Sequence, residues 1–360
     1  MIGAWYSYFI GPDWWTVIVV KAVIVVGFLT TAAAYLTLAE RKVAARIQLR
    51  IGPNRVGPLG LLQPAADAVK LLFKENTSPS ARDKLLYIVA PSLAGAAAIL
   101  AFAAIPVSAV QCIGGPHIGQ AQLVCPSGYA LHWDIAHVNV GLLFILAVTS
   151  LGVYSLFLGG WSANSKYSLF GGLRSSAQLI SYEMAVAFAL IGPVILAGSL
   201  DMEQIVSNQH HLWYVFLQPL AFLLYFVGAL AETNRAPFDL PEAETELVAG
   251  YHTEYGSMRF GLYFLGEYVN MVIVASIATT LFLGGWLSPL PTSWVIVGWI
   301  PGVIWYLIKV AVLIFVMMWV RWTLPRLRYD RLMNLGWKML LPLGLVNIMI
   351  TGTLVALRAG

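Results

Sequence analysis

Long apolar runs separated by short polar connections dominate this chain. Eight windows reach the length of about 20 residues that a helix needs to cross a bilayer, and they lie at 14–38, 85–107, 138–160, 177–198, 212–231, 260–284, 302–320 and 337–357. Only 11% of the residues are charged, against about 25% in a typical soluble domain. The pattern predicts an all-α integral membrane protein in which residues 1–360 form a single membrane domain with eight transmembrane helices.

Lysine and arginine fall on alternate connections. The connections at 108–137, 199–211 and 285–301 contain neither residue, whereas the connection at 39–84 carries nine. Because cytoplasmic loops of membrane proteins retain positive charge, we expect the basic connections in the cytoplasm and both termini outside. We expect a multi-pass protein of a bacterial inner (plasma) membrane. Anionic lipid accounts for the formal net charge of +4, so no nucleic-acid partner is needed.

The first basic connection contains two Gly-Pro pairs and then a short amphipathic pattern. The Gly-Pro pairs predict tight turns. In the residues that follow, the charged side chains of Asp67, Lys70 and Lys74 lie largely off an apolar helical stripe. The stripe consists of Leu61, Leu62, Ala65, Val69, Leu72 and Phe73. A helix of this kind is typical of segments that lie in the membrane interface.

Residues 231–255 combine many carboxylates with one arginine, Arg235, between two apolar spans. Pro237 and Pro241 prevent a continuous helix here. Irregular backbone beside a membrane must be buried in protein or line a watery cavity. Ionisable groups in such places are costly and are kept mainly for function. The segment therefore suggests proton handling or a cavity for a polar ligand.

Two acids lie inside predicted spans. Glu183 comes nine residues after Arg174, and Glu267 comes eight residues after Arg259, which puts both roughly 12–14 Å from the cytoplasmic helix ends. Acids at one depth on different helices can face a shared polar path. The alternative is that each is a neutral acid bonded to a helix neighbour. Lys309 lies deep in another span and needs a polar partner, which the sequence does not name.

The cysteines and histidines give no sign of a redox centre or a metal site. Cys112 and Cys125, the only cysteines, fall in an outside loop, where they can form a disulfide or remain two thiols. Two cysteines are too few for an iron–sulfur cluster, and no dinucleotide or phosphate-binding loop occurs. We therefore expect no bound cofactor. The histidines of the outside loops are interpreted as solvated, and they are His117, His132, His137, His210 and His211.

Several motifs resemble one family closely. GPNRVGPLGLLQPAAD at 52–67 and AETNRAPFDLPEAE at 231–244 are similar to signatures of the H-subunit family of the proton-pumping NADH:quinone oxidoreductase, respiratory complex I. Shorter matches are LAERK at 38–42, ISYE at 180–183, LGEY at 265–268 and RYDRLM at 328–333. The resemblance covers essentially the whole chain. The loop at 108–137 with its cysteine pair is the most individual departure from the family pattern.

The resemblance implies a role for particular residues. The residues implied to bind quinone are Arg41, Asp67, Lys70, Arg235 and Phe238. The residues implied to form a proton path are Glu40, Glu183, Glu232, Glu242, Glu244, Glu246 and Glu267. Quinone would be a substrate, and the partners would be the hydrophilic quinone-module subunits and neighbouring membrane subunits. The chain would act as part of a translocase, without redox activity of its own.

Other functions remain as alternatives. The chain can be the corresponding subunit of a related membrane-bound hydrogenase. A stand-alone proton or cation transporter would also contain intramembrane acids, but it should show inverted repeats and a pair of broken helices, and the sequence pattern shows neither. A passive membrane anchor would not need Glu183, Glu267 and a loop crowded with acids.

Overall fold

Helices make up most of the protein. The computed structural model describes residues 14–113, 129–239, 249–290 and 300–359. The helices are α1 (Trp14–Ile47), α2 (Gln63–Phe73), α3 (Lys84–Ala101), α4 (Gly141–Ser162), α5 (Lys166–Ala197), α6 (Met202–Ser207), α7 (Tyr214–Leu217), α8 (Pro219–Glu232), α9 (Ser257–Phe282), α10 (Gly302–Thr323), α11 (Tyr329–Leu335) and α12 (Leu341–Ala359). A π-helical turn, Gly336–Leu340, joins α11 to α12. Two short strands, β1 (Gln111–Ile113) and β2 (Tyr129–Leu131), pair antiparallel.

The prediction of an all-α membrane protein is confirmed, but the count of eight continuous spans is not. Within the described ranges, seven helical segments are long and apolar enough to cross a membrane. The span expected at 212–231 is instead two shorter helices, α7 and α8, separated at Gln218. The cause is Pro219, which has no backbone N–H and whose ring is incompatible with a preceding helical turn.

Polar side chains from α12 stabilise the break between α7 and α8. Gln218 donates a hydrogen bond from Nε2 to Thr351 Oγ1 at 2.7 Å, and Asn347 donates from Nδ2 to Gln218 Oε1 at 2.9 Å. All three side chains are buried. A buried amide without partners would cost about 1–3 kcal/mol, so the three side chains satisfy one another where the helix is interrupted.

Helix α5 begins earlier than the apolar window suggested. It starts at Lys166, eleven residues before the predicted start at 177, so that Arg174 lies inside the helix. Helix α9 begins at Ser257, close to the predicted 260. The predicted depth of Glu183 was counted from Arg174, which is not the start of the helix. Glu183 lies 17 residues into its helix and Glu267 lies ten residues into its own.

Helix α9 forms the centre of the protein. Its side chains are buried from Tyr268 to Phe282 except at Asn270, which is partly exposed. It packs against α1, α2, α3 and α10. Helix α1, in contrast, exposes apolar side chains such as Val23 and Ile24. Apolar exposure on this scale suits a lipid-facing surface, because no water contacts such a helix in the bilayer core.

The predicted amphipathic helix is present as α2. Leu72 and Phe73 on its apolar stripe are exposed, and so is Lys70. Ser257 at the start of α9 donates a hydrogen bond from Oγ to the carbonyl of Leu71 at 2.8 Å. This contact attaches α2 to the central helix, while the exposed apolar side chains remain available to the membrane interface.

Candidate functional site

Arg235 is the centre of a buried ionic cluster. Its Nη1 donates a hydrogen bond to Glu40 Oε2 at 2.6 Å. Its Nε lies 3.0 Å from Glu267 Oε1, in an orientation that makes an ion pair and no hydrogen bond. The Arg235 side chain is only 2% exposed. One cation therefore connects an acid of α1 with an acid of α9.

Tyr268 and Arg321 complete the cluster. Tyr268 donates from its hydroxyl to Glu40 Oε2 at 2.7 Å, and its ring centroid lies 4.4 Å from the Arg235 guanidinium carbon. Arg321, near the end of α10, pairs with the other carboxylate oxygen of Glu40. Glu40 thus forms ion pairs with two arginines and accepts a hydrogen bond from a tyrosine hydroxyl. These contacts offset the cost of burying its charge.

The electrostatics keep Arg235 charged. Burial alone lowers the pKa of Arg235, but the carboxylates of Glu267 and Glu40 outweigh it and raise this pKa above its usual value. Nearby, burial raises the pKa of Asp239, although Arg326 lies 3.3 Å from its Oδ2. Arg235 Nη2 has no hydrogen-bond acceptor among the residues that the structure describes. The cluster is therefore a fixed positive centre surrounded by carboxylates.

Hydrogen bonds from α5 and from the segment after α10 position residues 231–238. Gln178 of α5 donates from Nε2 to the carbonyls of Ala231 and Phe238, at 3.0 and 2.9 Å. The backbone N–H of Leu327 donates to the carbonyl of Pro237 at 3.0 Å. Asn234 adopts a φ of 50°, in the left-handed region that asparagine tolerates better than most residues. These contacts hold Arg235 in place although it lies outside a helix.

The three-residue spacing of Glu232 and Arg235 allowed a pair on one helical face, but the structure does not continue the helix that far. Helix α8 ends at Glu232. The described ion pairs of Arg235 go to Glu40 and Glu267. Glu232 instead lines a cavity beside the cluster.

This cavity brings three of the expected proton-path acids together. Glu183 of α5, Glu232 of α8 and Glu267 of α9 all line it, together with Asn270. Its volume of about 60 Å³ is enough for several water molecules. Glu267 belongs to both features, since it faces the cavity and also pairs with Arg235. The acids are therefore in one polar, hydratable region, which continues into the ionic cluster.

Tyrosines of the 251–263 region form one wall of the cavity. Tyr251 and Tyr263 line the cavity. Tyr255 stacks on Tyr87 with ring centroids 4.2 Å apart, and its hydroxyl donates to the carbonyl of Gly159 at 3.2 Å. Ser168 donates to the carbonyl of Tyr251 at 2.9 Å. The segment after residue 248 is thus attached to α3, α4 and α5 and closes one side of the cavity.

The residues expected to bind quinone do not all lie together. Arg41 pairs with Asp67 at 2.8 Å, and both are partly exposed. Arg41 also lines a surface pocket of about 300 Å³. Lys70 is exposed on α2. Phe238 is 4% exposed, and its ring lies 5.7 Å from that of Tyr182. The surface pocket is lined by Arg41, Ala44, Ala45, Arg50, Ile51, Gly52, Pro53 and Trp322.

Some expected site residues lie outside the part of the chain that the structure describes. Glu242, Glu244 and Glu246 fall in the gap at 240–248. Cys125 falls in the gap at 114–128, and the side chain of Cys112 is likewise not described. The proton-path role of the three glutamates and the disulfide therefore stay predictions from the sequence.

The structure identifies the partners of Lys309, which the sequence did not name, and corrects the interpretation of two histidines. Lys309 donates from Nζ to the carbonyls of Leu283, Gly285 and Leu287, at 2.6, 2.9 and 2.6 Å, so its partners are backbone groups at the end of α9. The interpretation of His132 and His137 as solvated is wrong. Their Nδ1 atoms lie 3.0 and 3.8 Å from Glu203 Oε2.

His137 is also close to a second acid. A hydrogen bond with Asp134, at 3.2 Å, raises the pKa of His137 to about 9, although burial opposes this. Both carboxylates are buried. No local pattern around either histidine marks the contact with Glu203, which lies far along the sequence.

The fold and site define a multi-pass membrane protein with an acid-lined cavity beside a buried arginine–carboxylate cluster. Residues 20–352 match the protein family described as NADH dehydrogenase. The chain is 50% identical over 345 residues to one of the NADH-quinone oxidoreductase H subunits of Geobacter metallireducens, covering 94% of this chain and 95% of that protein. It is 48% identical over 321 residues to the H subunit of Protochlamydia amoebophila, covering 89% and 92%. The chain therefore belongs to the H-subunit family of NADH-quinone oxidoreductase, as the sequence motifs indicated.

Proposed function

We propose that this chain is the membrane subunit that forms part of the quinone-binding tunnel of NADH-quinone oxidoreductase and couples quinone reduction to proton translocation. Membership of the H-subunit family supports the assignment to that complex. The position of Glu267 carries the coupling part of the proposal. This one carboxylate pairs with Arg235 and lines the cavity that Glu183 and Glu232 share.

The coupling follows from electrostatics. A change of charge or of hydrogen bonding near Glu40 alters how strongly Arg235 is held by α1, and therefore how strongly it holds Glu267. Ionisable groups that interact this closely exchange protons as a group and not independently. A cavity that admits water gives the protons a route between Glu267, Glu232 and Glu183. Quinone chemistry at one end thus changes the protonation of acids at the other.

Quinone would reach the cluster through the region around α1 and α2. The pocket beside Arg41 and Trp322 is about 300 Å³, at the lower end of the size range of small-molecule sites. The neighbouring α2 exposes apolar side chains at the expected level of the membrane interface, where a lipid-soluble substrate arrives. Electrons would come from a cluster in a partner subunit, since the sequence of this chain contains no motif for a redox group.

The basic connections would form the cytoplasmic face and dock the hydrophilic subunits. Lys70 is exposed on α2, and both α2 and the segment after α8 contact the end of α1, through the pairs Arg41–Asp67 and Glu40–Arg235. Crosslinking from Lys70 and Lys74 in intact membranes tests this arrangement. Products with a soluble subunit support the docking face, and crosslinks confined to membrane subunits contradict it.

The coupling role is tested with amide variants in membranes. Glu267→Gln and Glu183→Gln keep the shape and hydrogen-bonding capacity of each side chain but remove its titration. We expect NADH:quinone turnover, proton translocation, or both to fall by about 10-fold or more in each variant, as for loss of a positioned proton-transfer group. Glu75→Gln is the matched control, because Glu75 is exposed and remote from the cavity lining. Full turnover and full translocation in both cavity variants, with normal assembly, would contradict the proposal.

The alternatives make different predictions about partners. A stand-alone transporter would purify alone and move ions without a redox substrate. A hydrogenase subunit would purify with a hydrogen-oxidising module. One interrupted span, α7–α8, is a feature that transporters also use, but its polar break is filled by Gln218, Asn347 and Thr351. Identification of the proteins that co-purify in mild detergent separates the three functions.

A further inference from the structure

A second polar cluster lies at the opposite ends of the helices from the ionic cluster. It is formed by His132, Asp134 and His137 in the connection before α4 and by Glu203 in α6. Each residue contributes one potential ligand atom, and these atoms all lie within 4.8 Å of one another. The function proposed above uses none of them.

The distances between the ligand atoms resemble those of a metal site. His132 Nδ1 lies 3.0 Å from Glu203 Oε2, and His137 Nδ1 lies 3.8 Å from the same oxygen and 3.2 Å from Asp134 Oδ2. Ligands held about 2.0–2.2 Å from a tetrahedral Zn²⁺ are separated from one another by about 3.4 Å. The two imidazole rings stack with centroids 4.2 Å apart, and the Nδ1 atoms of both lie near the Glu203 carboxylate.

The charge of the site favours a divalent cation. Asp134, Glu203 and the adjacent Asp201 are all buried, at 6%, 2% and 5% exposure. Within the described part of the chain, the lysine beside them is Lys21 of α1, whose Nζ donates to the backbone carbonyls of His132 and Asp134. Three carboxylates and one ammonium leave a net charge of −2 when the imidazoles are neutral, which is the state in which they coordinate a metal ion. Buried charge of this size requires compensation.

The ligand atoms are held in place by the surrounding backbone. The N–H groups of Ile135 and Ala136 both donate to the carbonyl of Ala103, at 2.9 Å, and so fix the turn that carries three of the ligands. Asp201 accepts a hydrogen bond from the N–H of Glu203 at 3.0 Å, which orients the first turn of α6. A site positioned in this way loses little entropy when an ion binds.

We propose that His132, Asp134, His137 and Glu203 bind a divalent transition-metal ion, with Zn²⁺ as the best-fitting species. Two imidazole nitrogens and two carboxylate oxygens are ligands that Zn²⁺ accepts in tetrahedral sites. The ion would join the connection before α4 to the connection that contains α6. Four protein ligands leave no open position, so the role is structural and not catalytic.

The test measures Zn²⁺ bound to the tagged chain, purified in mild detergent with whatever subunits it retains. After chelator treatment, dialysis and addition of Zn²⁺, we expect wild type to hold about one equivalent more than the His132→Ala/His137→Ala variant. The control is His210→Ala/His211→Ala, which removes two imidazoles from the next outside connection and should bind like wild type. X-ray absorption of the bound Zn²⁺ should show nitrogen and oxygen ligands at about 2.0–2.2 Å.

Glu203→Gln keeps the proposal testable if the double alanine variant does not fold. It preserves side-chain shape and should weaken Zn²⁺ binding by about 10-fold or more, with a loss of the rise in Tm that Zn²⁺ gives wild type. Equal Zn²⁺ content in wild type, the cluster variants and the control would overturn the proposal. So would the absence of Zn²⁺ from wild type, because the cluster would then hold a proton between imidazole and carboxylate.

Discussion

Arg235 Nη1 and Glu40 Oε2 lie 2.6 Å apart although 195 positions separate the two residues in the chain. This contact links α1 to the segment after α8 across the face of the central helix α9. Glu267 on α9 lies on the other side of the same guanidinium. The arrangement makes Arg235 the residue on which the ionic cluster depends.

Replacing Arg235 should destabilise the protein strongly. Arg235→Met leaves the buried Glu40 and the partly buried Glu267 with less positive charge, and breaking a buried pair in this way costs about 3–5 kcal/mol. Adding Glu267→Gln should restore part of the loss, because residues of one network couple by about 0.5–3 kcal/mol. Thermal unfolding of the purified chain in detergent measures both effects.

The control for the Arg235 experiment is Arg328→Met. Arg328 pairs with Asp330 at 3.1 Å, but its side chain is 81% exposed. An exposed pair contributes about 0–1 kcal/mol, so this variant should unfold close to wild type. If Arg235→Met lowered the Tm no more than Arg328→Met, the cluster would not hold the helices together.

Lys309 should act as a structural cation that stabilises the backbone directly after α9. Its ammonium satisfies the carbonyls of Leu283, Gly285 and Leu287 and lies 4.2 Å from the ring centroid of Trp213. Lys309→Met keeps the aliphatic length but leaves those carbonyls unpaired, at about 1–3 kcal/mol for each group that finds no water.

The matched control for Lys309 is Lys84→Met, since Lys84 is exposed at the start of α3. We expect a clear fall in Tm for the Lys309 variant and little change for the Lys84 variant. A fall in proton translocation without any change in Tm would show instead that Lys309 takes part in the proton path.

Much of the helical architecture was predictable because apolar periodicity and span length are local signals. The expected spans at 138–160 and 302–320 correspond closely to α4 (Gly141–Ser162) and α10 (Gly302–Thr323). The start of α5 was missed, since glycines and serines between 166 and 176 weaken the apolar signal while packing closely inside the protein. The break at Gln218 had a local signal in Pro219, but the apolar residues on both sides concealed it.

The site was predictable only in part. The family motifs pointed to Glu40, Arg235 and Glu267, and these residues do lie in one cluster. The pairing of Arg235 with Glu40 had no local signal, because the partners come from different helices. The contact between His132 and Glu203 was missed for the same reason, and loop position alone suggested solvation. Sequence reasoning could place charges on helices but not bring distant ones together.

Gly192→Ala should disturb the polar break between α7 and α8. A Cβ at position 192 would lie 2.7 Å from Gln218 Oε1 and 2.9 Å from Asn347 Nδ2. These two atoms form one of the hydrogen bonds that fill the break. Both amides would therefore have to shift away from the new methyl group. Overpacking of this kind costs about 1–3 kcal/mol, and the Tm in detergent should fall.

Gly27→Ala is the control for this substitution. Gly27 lies in α1, and a Cβ added there would meet no described atom within 4 Å. Alanine is also favoured over glycine inside a helix by about 0.5–1 kcal/mol. We expect an unchanged or slightly higher Tm. If Gly192→Ala behaved like Gly27→Ala, the Gln218 and Asn347 amides would be free to move and the break would not depend on their hydrogen bonds.

His252 should make the cavity wall sensitive to acid. Burial among Tyr251 and Phe260, whose ring centroids lie 4.9 and 5.4 Å away, lowers the pKa of His252 to about 4. The unfolded chain has a histidine pKa of about 6.5 and therefore binds more protons than the folded chain between these values. The contribution of neutral His252 to the free energy of unfolding is therefore fully present above pH 6.5. It is lost as the pH falls toward 4, by roughly 3 kcal/mol in total.

The variant His252→Gln removes the titration and should flatten this dependence. The measurement is the Tm of the purified chain in detergent at several pH values between 7.5 and 4, for wild type and variant. Only the difference in slope matters, because any constant cost of the substitution cancels. Equal slopes would mean that His252 titrates at its ordinary pKa in the folded protein, and that the wall at 249–255 opens to water near neutral pH.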